Sequence, residues 1–179
     1  MARYYWYSFF GLLGLLGIGG LLGLAAAGGI ASSVAYTSTN DFCVRCHYAQ
    51  WPEAEYQALG HFTNASGVRA SCGDCHFDQQ PWWRMLWQKT RSGTSHVIAH
   101  WQGSLATREA YEARRLALSE RVWDHLEATD SGWCKNCHTT EAFDLEAQSA
   151  PARASHQRGL DAGLTCITCH KGVGHGIEP

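Results

Sequence analysis

Cys43-Val44-Arg45-Cys46-His47, Cys72-Gly73-Asp74-Cys75-His76, Cys134-Lys135-Asn136-Cys137-His138 and Cys166-Ile167-Thr168-Cys169-His170 are four copies of C-x-x-C-H. They take up all 8 cysteines, leaving none for a separate disulfide framework. One copy could be a thiol redox motif or half a zinc site. Four that exhaust the cysteines read as attachment sites for c-type haem, two thiols on the porphyrin edge and the adjacent imidazole toward the iron. His47, His76, His138 and His170 are therefore the proximal ligands expected. Six histidines remain for the opposite faces: His61, His96, His100, His125, His156 and His175. A second axial ligand favours electron transfer, whereas a vacant position admits a small substrate. Met85 is the single thioether downstream of the N-terminal apolar stretch, and apolar packing suits it equally.

These residues need elements to position them. Residues 4–40 carry no charged side chain, and Trp6 to Ala31 is apolar or small. As a helix this run extends about 39 Å, enough to cross a hydrocarbon core of about 30 Å. It is too long for the apolar part of a typical cleaved signal peptide. Gly11, Gly14, Gly17, Gly20 and Gly23, with the Gly19/Gly23 pair, form a spiral of small residues that would let a second copy approach. Arg3 ahead of the span favours a cytoplasmic N-terminus, and Tyr4, Tyr5, Trp6 and Tyr7 suit the interface there. The remainder is then expected in the bacterial periplasm. The reading is an anchor at 1–35 and a haem domain at 36–179.

First cysteines are separated by 29, 62 and 32 residues, so the centre holds an insertion. Within it Arg108 to Ala128 is predicted helical from Tyr111, Leu118, Val122 and Leu126, and Ser131-Gly132 ends the run. Apolar sequence is too sparse for four domains. The expected fold is mainly α, with one N-terminal transmembrane helix and a compact multihaem domain with little regular strand, its haems forming much of the core. The formal net charge of -2 gives no basic footprint for nucleic acid. Trp82-Trp83-Arg84-Met85-Leu86-Trp87 reads as interfacial, its rings at head-group level and Arg84 and Lys89 snorkelling, with haem packing as the rival.

The chain resembles the NapC/NirT/NrfH family of membrane-anchored tetrahaem quinol dehydrogenases. The features that carry this are the anchor, four haem motifs, Glu55-Tyr56, Lys89-x-x-x-Gly93, Gln148-x-x-x-Ala152-x-x-x-His156 and the stretch Thr165 to His175. The resemblance implies four covalent haems, quinol oxidation near haem 1 at the membrane surface, and delivery to a periplasmic reductase or a soluble cytochrome. It also implies His61 as distal ligand of haem 4 and His175 as that of haem 3. For haem 2 it offers Lys89 or His100; an imidazole needs no deprotonation before binding iron, which favours His100. Lys89 then stands near the quinol with His96, Glu55 and Tyr56 as further quinol-side residues.

Two departures concern haem 1. The family's His-x-Met is His47-Tyr48-Ala49 here, and an alanine methyl cannot coordinate iron. Seven residues after Lys89 the family's acidic residue is His96. His96 or Met85 could complete haem 1; alternatively His96 keeps the proton-accepting role beside a five-coordinate iron. Two other classes of function remain: a membrane-tethered carrier with no quinol site, and a small-molecule reductase at an open haem.

Overall fold

The computed structural model describes residues 2–176, apart from the side chains of residues 2–8 and of His47. The interfacial residues expected at Arg3 and Tyr4 to Tyr7 thus have side chains outside the described residues, as does the motif histidine His47. The chain divides into two compact units after Thr39. All regular elements among the described residues are helical.

The first unit is helix α1, Ala2–Tyr36. Its Phe9–Tyr36 stretch has a mean hydropathy of 2.1 and is long and apolar enough to cross a membrane. A helix satisfies its own backbone donors and acceptors, which an apolar solvent requires. None of that stretch is buried against protein. A Cβ added at Gly11, Gly14, Gly17, Gly19, Gly20 or Gly23 meets no atom of this chain.

The second unit carries α2 (Asn40–Cys43), α3 (Gln50–Gln57), α4 (Cys72–His76), α5 (Trp82–Trp101), α6 (Arg108–Ala128), α7 (Gly132–Lys135), α8 (Ala150–Asp161) and α9 (Cys166–Cys169). The short helices α2, α4, α7 and α9 each hold one or both cysteines of a haem motif. In α4 the motif supplies its own cap. Ser71 accepts from the Asp74 amide while Asp74 accepts from the Ser71 amide, a reciprocal box between the residue ahead of Cys72 and one inside Cys72-Gly73-Asp74-Cys75.

Helix α6 is the spine and matches the residues expected from periodicity. Thr107 caps it by accepting from the Ala110 amide. At one end Tyr111 joins Tyr48 and Leu105, with Ala49, Trp51, Ala99 and Leu118 around them. At the other Trp123 and Leu126 close on Ile167, with Val122 and Trp133 beside them. The helix stops where Asp130 and Ser131 adopt φ of 52° and 51°, and Ser131 donates its amide to the Leu126 carbonyl at 2.6 Å. Left-handed backbone is unfavourable for such residues unless neighbours hold it. Here the hold is tertiary: Ser131 is fully buried, and its Oγ accepts from the Ile167 amide at 3.1 Å.

Seven large apolar residues are buried among the described residues: Tyr48, Tyr56, Leu105, Tyr111, Trp123, Leu126 and Ile167. That is a small side-chain core for a body of this length. The motif residues Cys46, Cys75, His76, Cys137, His138, Cys169 and His170 are exposed rather than packed into that core.

Candidate haem centres

The four motifs follow one another in space in the order of the sequence. Asn40 Oδ1 accepts from the Cys72 amide at 2.9 Å, fastening the first motif to the second. Asp78, just past the second motif, accepts at 2.6 Å from the indole N–H of Trp133, which precedes the third. Ser131 and Ile167 fasten the third to the fourth. The thiols agree. Cys43 and Cys72 are hydrogen-bonded to each other, an interaction that draws Cys43 down to about 7 and is the main reason Cys72 is raised. Cys75 is pushed up to about 11, first by burial and then by Cys134. Cys134 is raised by burial and by Cys166.

Three motif histidines face a histidine from elsewhere. Ring centroids are 6.0 Å apart for His76 and His175, 6.1 Å for His138 and His61, and 5.9 Å for His170 and His156. Two imidazoles binding one metal from opposite sides, each at about 2 Å through nitrogen, bring their ring centres to about 6.3 Å. All three spacings therefore match a pair of axial ligands.

The outer nitrogens support the same reading. His61 Nδ1 lies 3.3 Å from the Val173 carbonyl, His175 Nδ1 3.0 Å from that of Pro52, and His156 Nδ1 2.6 Å from Gln148 Oε1. A carbonyl oxygen only accepts, so Nδ1 carries the proton and Nε2 presents its lone pair. Among the described residues no three His, Cys, Asp or Glu converge as an ordinary protein metal site would require. Two nitrogens per site suffice where the porphyrin supplies the other four. The residues thus fit haem c: paired thiols to attach it, imidazole pairs to hold its iron, and a body whose side-chain core is small without it.

The pairing differs from that implied by the resemblance. His61 was expected opposite the fourth motif and His175 opposite the third; the structure sets His61 against His138 of the third and His175 against His76 of the second. The stretch after the fourth motif folds back onto α3, where the Pro52 carbonyl takes the His175 ring and Arg115 holds the His175 carbonyl at 2.8 Å. At the second motif the ring facing His76 is that of His175, where the resemblance offered His100 or Lys89. Lys89 lies with its ammonium 4.9 Å from the centre of the Phe77 ring, and burial lowers its pKa. The His76 ring sits in a cleft open to solvent yet walled by protein. Burial pushes it down to about 4, with His175 and His96 adding to the effect.

His156 is the residue that sequence reasoning left without a role. Its signal was present in Gln148-x-x-x-Ala152-x-x-x-His156: Ala152 and His156 share a face of α8, and Gln148 just ahead of the helix reaches the His156 ring. His125 stacks on Trp133 at 4.6 Å, and its buried Nε2 has no hydrogen-bond partner.

Around the first motif the arrangement changes. The Tyr48 hydroxyl is 2.5 Å from His96 Nδ1, with the rings stacked at 5.7 Å. Burial raises the Tyr48 pKa and lowers that of His96. The contact leaves His96 Nε2 as the nitrogen that can face iron or donor. Met85 is half-buried on α5. Glu55 pairs with Arg115 at 2.5 Å, and Tyr56 donates to the Ala70 carbonyl while lying 3.0 Å from that of His61. Both side chains are thus engaged with protein. Helix α5 exposes Trp82, Trp83, Trp87 and Trp101, and Trp83, Leu86, Trp87 and Thr90 line a shallow groove of about 550 Å³.

Paired cysteines on short helices, with imidazoles facing one another beside them, define the protein by class as a c-type cytochrome. The model of the "NapC/NirT cytochrome c family, N-terminal region" matches residues 6–179, and the chain belongs to this family. It is 35% identical over 167 residues to the denitrification system component NirT of Stutzerimonas stutzeri, covering 93% of this chain and 82% of that protein. It is 41% identical over 140 residues to a putative tetraheme cytochrome-c type protein of Allochromatium vinosum, covering 78% and 74%. The cytochrome c-type protein TorY of Haemophilus influenzae is 36% identical over 148 residues, covering 78% of this chain but 37% of its own. The chain therefore spans little more than a third of TorY. No solved structure matches it.

Proposed function

We propose that this chain oxidises membrane quinol and relays the electrons through four covalent haems to a periplasmic reductase or a soluble cytochrome. The observation that carries this reading is the ordered chain of motifs. Each is fastened to the next by a side-chain hydrogen bond, and three of them present two imidazoles to one point. Bound haem iron supplies one-electron redox chemistry, and the protein supplies position and ligands. His76 with His175, His138 with His61, and His170 with His156 are the residues that would hold haems 2, 3 and 4. Their fixed Nδ1 contacts hold the rings still, which suits a relay more than an open catalytic iron.

The entry end is the first motif with α5. Quinol gives up two electrons and two protons, so its site needs apolar walls and a polar residue at the head group. The tryptophan-bearing face of α5 and its groove offer the walls, while Lys89 and His96 offer the polar contacts. Helix α1 crosses the bilayer and the haem body lies in the periplasm, the orientation that Arg3 favours and haem attachment requires. The glycines of α1 leave room for a second copy of the helix.

Purified full-length protein given a quinol analogue provides the test. The α-band of reduced haem is expected to rise with no other subunit present. A protein that dithionite reduces but quinol does not is a tethered carrier, and the dehydrogenase reading falls. A high-spin haem whose spectrum shifts on adding a small oxidised substrate marks a terminal reductase instead.

A further inference from the structure

Helix α3 touches the distal side of two haem centres at once. Glu55 holds Arg115, which also pairs with Glu112 and donates to the carbonyl of His175. The Pro52 carbonyl takes the ring of the same histidine. One residue further on, the Tyr56 hydroxyl reaches the carbonyls of His61 and Ala70, and the Ala70 amide donates to the His61 carbonyl at 3.1 Å. Successive helical residues diverge by about 100°. Glu55 and Tyr56 can therefore serve different ligands from neighbouring positions. Glu55 and Arg115 are half-buried at 24% and 22% side-chain exposure, where a charge-assisted hydrogen bond is stronger than in water. Arg115 Nε is buried without a partner, so the guanidinium depends on its terminal nitrogens.

We propose that Glu55 and Tyr56 are positioning residues: Glu55, through Arg115, sets His175 opposite His76, and Tyr56 sets His61 opposite His138. Adjacent side chains on one turn of helix thus tune two different haems. The assignment deepens the four-haem reading and rests on it. It also removes Glu55 and Tyr56 from the quinol site, because each is turned toward a ligand segment.

Electron paramagnetic resonance of the oxidised full-length protein tests this. His175→Met and His61→Met first identify the resonances of haems 2 and 3. Glu55→Ala is expected to shift the resonance marked by His175→Met, with partial loss of its low-spin intensity. Glu55→Gln, which keeps an acceptor for Arg115, restores most of that intensity. Tyr56→Phe, which removes only the hydroxyl, is expected to shift the resonance marked by His61→Met and no other. Should Glu55→Ala load haem poorly, Arg115→Met is read in the same way. With haem content at the native level, unmoved resonances, or one haem responding to both positions, overturn the proposal. A pyridine-haemochrome count below four in the native protein instead defeats the four-haem reading beneath it.

Discussion

The surroundings of the first motif and those of the other three are built differently. At His76, His138 and His170 a second imidazole arrives from a distant segment, and an oxygen fixes its outer nitrogen. Among the described residues around the first motif, Tyr48 meets His96 and Cys43 feels the charge of Lys89, both from α5, a helix that also exposes tryptophans on its surface. His96 there meets a hydroxyl, Tyr48, which both donates and accepts. A carbonyl-tied pair holds one protonation state; a hydroxyl-tied ring can exchange its proton. Under the proposed function, the contrast sets three centres suited to passing electrons beside surroundings, at Tyr48 and His96, suited to taking up protons.

Removing an end of the relay should have the largest effect. Cys166→Ala with Cys169→Ala is expected to lose a quarter of the covalent haem and to slow delivery to a soluble acceptor by at least about tenfold. Quinol should still reduce the haems that remain. Pyridine-haemochrome content and stopped-flow reduction measure the two halves of this outcome. If quinol-driven reduction disappears as well, entry is not separate from exit.

The entry end is tested by His96→Leu. Quinol-driven reduction should drop about tenfold, the scale of losing one proton-transfer group or ligand, while dithionite reduces every haem as before. A changed spectrum for haem 1 marks His96 as its ligand; an unchanged one marks it as the proton-accepting residue. Native quinol kinetics would remove His96 from the site.

A smaller effect belongs to the cluster shared by both regions. Burial, then the Glu55 carboxylate, raises the Tyr111 pKa above its ordinary value. The folded state therefore keeps a proton that the unfolded chain releases above about pH 10. The stability is fully present below that value and is lost as pH rises. Tyr111→Phe should flatten this alkaline limb and leave neutral pH nearly untouched, as read from helical ellipticity against pH. An unaltered limb would show that Tyr111 does not cause it.

The apolar N-terminal helix, the helix Arg108–Ala128 and the four C-x-x-C-H motifs were legible because each is a local pattern: an uncharged run, a helical period, a fixed spacing. The ligand pairs were not. His61 meets His138 and His175 meets His76 through contacts 112 and 123 residues apart in sequence, at Val173 and Pro52. No local period encodes such a contact. His156 was visible in its motif, yet its role appears only once α8 lies beside the fourth motif. Glu55 and Tyr56 were singled out by their motif, but the sequence does not show that Glu55 meets Arg115 or that Tyr56 meets the carbonyls of His61 and Ala70.

The short stretch from Val173 to His175 bears on how the protein is made. It supplies the ring opposite His76 and the carbonyl that steadies His61, and in a chain exported N-terminus first, as the proposed function requires, it would emerge long after either. Until then the second motif would have no facing ring and the ring that serves the third would be unsteadied. The upstream thiols would thereby stay reachable while porphyrin is joined to them, and the late-arriving stretch would close both centres in one event.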